Sequence, residues 1–159
     1  MARTRTLPTA DELRVWRDYI ETAEALRAAI SARLQSDSAL SPGDYAVLLA
    51  LSEAEGHRMR SSDLAARIHW ERSRLSHHLG RMEKRGLIAR EECVTDSRGA
   101  EVVLAPAGES AFHGATVPHL RAVRELFVDA LTPQQVAAAG ELVAALRAHL
   151  AQPADRGTE

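Results

Sequence analysis

From Asp11 to Leu34, apolar residues return every three or four positions: Leu13, Trp16, Tyr19, Ile20, Ala23, Leu26, Ile30 and Leu34. That spacing predicts one stripe along a long helix. Ser36-Asp37-Ser38 breaks it. Ser41-Pro42 predicts the start of a second helix, because a serine oxygen caps free amides and proline fits the first turn. Tyr45, Leu48, Leu49 and Leu51 form its apolar side, and Gly56 ends it. Ser61 or Ser62 then caps a third helix, Asp63 to Ile68, set close before a fourth, Arg72 to Arg85, with Gly86 as its stop. Two short helices on a tight connection make a helix-turn-helix. Leu64, Ile68, Leu75, Leu79 and Met82 are its expected shared core.

After Leu87 the period changes. Ile88 to Val94 and Ala100 to Leu104 read as hairpin arms around Asp96-Ser97-Arg98-Gly99. Pro106 opens a further helix carrying Phe112, Thr116, Leu120, Val123, Leu126 and Phe127, with a bend expected at Pro118. Thr132-Pro133-Gln134-Gln135 caps a last helix with Val136, Leu142, Val143, Leu146 and Leu150 on its apolar side. The predicted fold is mainly α with a small β wing. Residues 1–159 form one chain domain: a winged helix-turn-helix at 41–104, between dimerisation helices at 11–40 and 106–150. The end helices carry more apolar stripe than so small a winged core covers. Packing against a second copy of the chain solves this economically, and folding back onto their own domain is the alternative.

Charge changes the picture. The whole chain of 159 residues carries a formal −2, yet Arg58 to Arg90 holds nine basic residues against three acidic ones. Segregated positive charge of this kind makes a footprint for phosphates, and double-stranded DNA is the expected partner. A winged module that binds protein without DNA is the rival reading, but it has no need of that charge. At 45% hydrophobic residues the chain can bury a core. No apolar run is long enough to span a bilayer, the first residues lack a secretory pattern, and a single cysteine makes no internal disulfide. A cytoplasmic setting without membrane attachment follows as the expectation. No Gly-x-Ser-x-Gly, phosphate-binding glycine loop, Cys-x-x-Cys or His-Glu-x-x-His occurs, so no catalysis is expected. His77 and His78 are adjacent and point about 100° apart on a helix, so no metal site is expected either. Glu91 and Glu92 precede Cys93 and oppose its thiolate, which favours a structural role for that cysteine.

Three fragments carry a family resemblance: Leu64-Ala65-Ala66-Arg67-Ile68, then Arg81-Met82-Glu83-Lys84-Arg85-Gly86-Leu87-Ile88, then Asp96-Ser97-Arg98-Gly99 followed by Val103-Leu104 and Gly108. In this order and spacing the chain resembles the MarR family of bacterial transcription regulators, from about Trp16 to Leu150. The resemblance implies a homodimer on a pseudo-palindromic operator, acting as a repressor that a small aromatic or phenolic compound, or an oxidant, releases.

The start of the fourth helix then supplies the expected readers. Ser73, Arg74, Ser76 and His77 are candidates for base edges, and Arg72 and Arg81 for phosphates or structural pairing. Arg98 near the wing tip suits a narrow minor groove, with Asp96 and Gly99 shaping the turn. Arg90 is a second phosphate candidate. Trp16, Tyr19, Tyr45 and Trp70 are candidates to line a ligand pocket beside the winged region. No cofactor is expected, and the small-molecule effector is not named by the residues.

Overall fold

The computed structural model describes residues 7–92 and 100–152. It divides into two compact units, Met1–Ala122 and Val123–Glu159.

The first unit opens with α1, Ala10–Asp37. Thr9 and Glu12 form a reciprocal capping box at its start, one turn before the apolar stripe begins. Leu34 is the one buried residue on α1, while Leu13, Val15, Trp16, Tyr19 and Ile20 are exposed. The second helix, α2 (Pro42–Ser52), is the opposite case. Ser41 caps it as expected, Asp44 returns the capping bond, and Asp44, Tyr45, Val47, Leu48, Ala50 and Leu51 are all buried.

A left-handed turn at Gly56 and His57 (φ 63° and 54°) redirects the chain into β1, Arg58–Arg60. The hydropathy pattern predicted no strand here. Three residues are too few to show a period of two, and β1 exists because β3 (Ala100–Leu104) offers it an edge, with Met59 facing Val102. With β2 (Ile88–Glu92) the sheet is three-stranded and antiparallel, in the order β1-β3-β2, rather than a lone hairpin. Arg90 lies opposite Val102 and Ile88 opposite Leu104. The Cys93, Asp96, Arg98 and Gly99 positions lie outside the described residues.

The strand runs straight into α3, Ser61–Arg67, so the expected serine cap is corrected. Arg60 holds the cap position but its side chain does not cap the helix, both serines lie inside the helix, and the Ser62 hydroxyl donates to Asp63 instead. His69 takes a left-handed backbone (φ 55°) to close α3, and the Trp70 amide donates to the Ala65 carbonyl at 2.9 Å. α4 covers Arg72–Lys84 and ends at Gly86 (φ 71°), where the Leu87 amide returns to the Met82 carbonyl. Of the five expected core residues, Leu64, Leu75, Leu79 and Met82 are fully buried, and Ile68 is half-buried against them.

α5, Pro106–Val123, follows β3 after one residue, Ala105, whose amide donates to the Leu87 carbonyl at 3.2 Å. A Cβ on Gly108 would lie 2.0 Å from the Leu87 carbonyl oxygen, so only glycine lets this helix approach so closely. The helix is not broken at Pro118. Phe112 and Ala115 complete the core.

In the second unit, a single π turn at Arg124–Val128 precedes α6, Pro133–Leu150. Thr132 and Gln135 form the expected capping box. α6 buries none of its residues, and Val136, Leu142, Val143, Leu146 and Leu150 are exposed. Among the described residues, no helix is long and apolar enough to cross a membrane.

Candidate nucleic-acid interface

The helical period sorts α4 into two faces. Leu75, His78, Leu79 and Met82 are buried, whereas Arg72, Ser73, Arg74, Ser76 and His77 are all exposed. No acidic residue stands in its first turn, and the residue at the cap, Glu71, makes no side-chain bond to the free amides. The sequence-predicted readers are therefore brought together on one exposed surface.

The remaining cations of the basic segment divide differently. Arg58 pairs with Glu91 at 3.5 Å and Glu101 at 3.2 Å, and Arg67 with Glu53 at 2.5 Å. Arg90 holds Glu83 through two nitrogens, at 2.9 and 2.5 Å, which lowers the Glu83 carboxyl below its usual range. Arg90, a phosphate candidate in sequence, thus already has an anion. Arg81 donates to His78 Nδ1 at 3.0 Å. Charge counted along the chain overstates the free positive charge, because Glu53, Glu91 and Glu101 fold back onto it.

Beneath α4 lies a buried polar cluster that sequence reasoning missed. The Asp44 side chain is 2% exposed. Its Oδ2 accepts from Arg85 at 2.7 Å and from the Ser41 amide at 2.9 Å. Arg85 also donates to the Ala39 carbonyl at 2.9 Å. Burial pushes the Asp44 carboxyl up, but hydrogen bonds from Arg85 and Ser41 outweigh it and hold it below the ordinary value. His78 Nε2 stands 3.1 Å from Asp44 Oδ1, without the alignment of a hydrogen bond. Arginine only donates, so His78 Nδ1 must accept from Arg81 and the ring proton sits on Nε2, facing the carboxylate. Burial lowers the His78 pKa, Asp44 partly opposes this, and Arg81 adds to it. The Ser41-x-x-Asp44 spacing is a visible signal for the cap. Nothing local links Asp44 to Arg85, 41 positions away.

A cavity of about 340 Å³ opens elsewhere in the first unit. Leu26, Ile30 and Leu34 of α1 face Tyr45 of α2 and His119 of α5 across it, and Arg27 and Ser31 add polar groups. The Tyr45 and His119 rings pack 4.4 Å apart. His119 Nδ1 is buried without a hydrogen-bond partner among the described residues, and burial lowers the His119 pKa. Of the four aromatic pocket candidates, Tyr45 lines this cavity. Trp16 and Tyr19 are exposed on α1, and Trp70 packs at the α3–α4 turn. Among the described residues, no three His, Cys, Asp or Glu side chains gather to hold a metal ion.

A helix-turn-helix with an exposed basic second helix, backed by a three-stranded sheet, defines a winged-helix regulator. A MarR family model matches residues 40–99. Among solved structures, the chain is similar to AbsC, a MarR family transcriptional regulator from Streptomyces coelicolor. Their identity is 35%, over 92% of this chain and 98% of that one, with a TM-score of 0.83. It is also similar to Sco3205, a MarR family transcriptional regulator from Streptomyces coelicolor solved in complex with DNA. Here identity is 35%, over 98% of this chain and 97% of that one, with a TM-score of 0.85. An organohalide-sensing transcriptional regulator in its 2,4-dichlorophenol-bound form shares the fold, at 21% identity over 94% and 89% of the two chains and a TM-score of 0.75. The comparison with curated proteins finds no match. The chain belongs to the MarR family of transcriptional regulators.

Proposed function

We propose that the chain is a homodimeric, sequence-specific DNA-binding regulator, a repressor that a small aromatic ligand releases from a pseudo-palindromic operator. The observation that carries the reading is the exposed face of α4, where Arg72, Ser73, Arg74, Ser76 and His77 stand together with no acidic residue in the first turn. The similar Sco3205 was solved in complex with DNA, which supports the same partner here. Exposed apolar residues on α1 and α6 support a second copy as the dimer partner. The cavity between Tyr45, His119 and α1 supports an effector, and the unpartnered His119 Nδ1 favours a ligand that donates a hydrogen bond, such as a phenol.

Selection of bound duplexes from a randomised pool, followed by titration at several salt concentrations, tests this. The logarithm of affinity should fall linearly with the logarithm of salt, by a slope of about 0.9 per phosphate neutralised. Ser76→Ala or His77→Ala should cost about 1–3 kcal/mol at particular base pairs, while Arg98→Ala should weaken all sequences alike. Adding 2,4-dichlorophenol as a probe should release the duplex; Ala23 also lines the cavity, and Ala23→Trp, which fills it, should abolish that release. Attachment that ignores both salt and sequence would sink the DNA reading.

A further inference from the structure

Arg74 is not a loose surface cation. Its guanidinium carbon lies 4.1 Å from the centroid of the Trp70 ring. Stacking on an aromatic face engages the π surface of the guanidinium and leaves the donors along its edge free. Arg74 makes no hydrogen bond or ion pair with any described residue, so those donors are unspent.

Trp70 is itself held from three sides. Its amide is tied to the Ala65 carbonyl. Its ring meets the His78 ring edge-on, with centroids 5.1 Å apart and planes at 85°. On the remaining side stands Gly43, in the first turn of α2. A Cβ there would come within 2.7 Å of Trp70 Cη2 and 2.9 Å of His78 Cε1. The slot exists because position 43 has no side chain. His78 cannot yield readily, since Arg81 holds one ring nitrogen and Asp44 stands beside the other.

We propose that Trp70 is a positioning residue for base readout: seated between Gly43 and His78, it holds Arg74 at the start of α4 with its edge donors ready for a bidentate contact to guanine. The inference rests on the DNA-binding reading above. A long flexible side chain normally loses rotamer freedom when it docks; one already parked on a rigid ring loses less, so discrimination at its base pair sharpens. This gives Trp70 a role other than lining a ligand pocket.

The test uses the full chain and the duplex selected with the unaltered protein, together with every single-base-pair variant of that duplex. Trp70→Leu and Gly43→Ala should both lose about fivefold or more discrimination at the base pair where Arg74→Ala loses it. Preference at the other positions should stay intact. Trp70→Phe keeps an aromatic face and should retain most of the discrimination. Adding Trp70→Leu to Arg74→Ala should cost nothing further at that base pair. A Trp70→Leu protein with unaltered discrimination there overturns the proposal. So does one weakened by the same factor on every duplex, which marks a merely structural ring. Without DNA, and in a Trp16→Phe background, Arg74→Ala should shift the emission of Trp70; no shift means the seat is not occupied in solution. Failure of the unaltered protein to select any duplex would instead defeat the DNA-binding reading itself, and the emission readout keeps the two failures apart.

Discussion

α1 and α2 follow each other in the chain and both carry apolar residues, yet they are used in opposite ways. α2 has 11 residues and buries six, including a carboxylate. α1 has 28 and buries Leu34 alone. In the second unit α6 repeats the α1 case, with none of its 18 residues buried. The contrast teaches that an apolar stripe states a need for cover without saying who supplies it. For α2, the cover comes from α3, α4 and the sheet of its own chain. For the stretch of α1 from Leu13 to Ile20 it is not supplied by the described residues, and Trp16 remains 60% exposed. Bare apolar surface of this extent is what motivates the proposal of a second copy as partner.

The comparison breaks most readily at α1. Trp16→Glu combined with Ile20→Glu should turn a dimer into a monomer in sedimentation, with a loss of palindrome affinity on the order of a hundredfold. If the unaltered chain sediments as a monomer, α1 is simply tolerated in water and the contrast with α2 loses its meaning. At α2, Asp44→Ala should lower the unfolding free energy by about 2–4 kcal/mol, read from the urea midpoint. It strips the Arg85 guanidinium and the Ser41 amide of their acceptor. The same protein should still dimerise at concentrations where it is folded, because α1 does not depend on Asp44.

The smallest effect concerns pH. His78 and His119 both have pKa values lowered by burial, so the unfolded chain takes up these protons first. Stability should therefore be fully present above the ordinary imidazole value of about 6.5 and should decline as pH falls below it, levelling off beneath the folded values. His78→Gln should flatten part of that decline in melting temperature between about pH 7 and 5, leaving the His119 share. The lowered Asp44 carboxyl adds a separate loss in stronger acid, as pH falls through its folded value. An unaltered slope in His78→Gln would mean that the ring is as free as in the unfolded chain.

Much of the site was legible before folding. Ser73, Arg74, Ser76 and His77 are exposed together because the same 3.6-residue period that buries Leu75, Leu79 and Met82 must turn them outward. β1 was not legible, because three residues with two arginines carry no strand pattern; its existence depends on β3 being within reach. Nor was the pairing of Arg90 with Glu83, or of Arg67 with Glu53, since a count of charges has no distances in it. Trp70 was read by residue type, as an aromatic fit to line a pocket. Residue type could not show that Gly43, His78 and Arg74 are its neighbours.

Local pattern alone decided the helices, their caps at Ser41 and Thr132, the left-handed stop at Gly86 and the outward face of α4, because each rests on forces acting within a few residues. The folded chain decided which charges are already spent, which rings touch and which apolar faces stay bare. Those outcomes turn on contacts between segments as far apart as Asp44 and Arg85, and no period along a sequence encodes a distance across space.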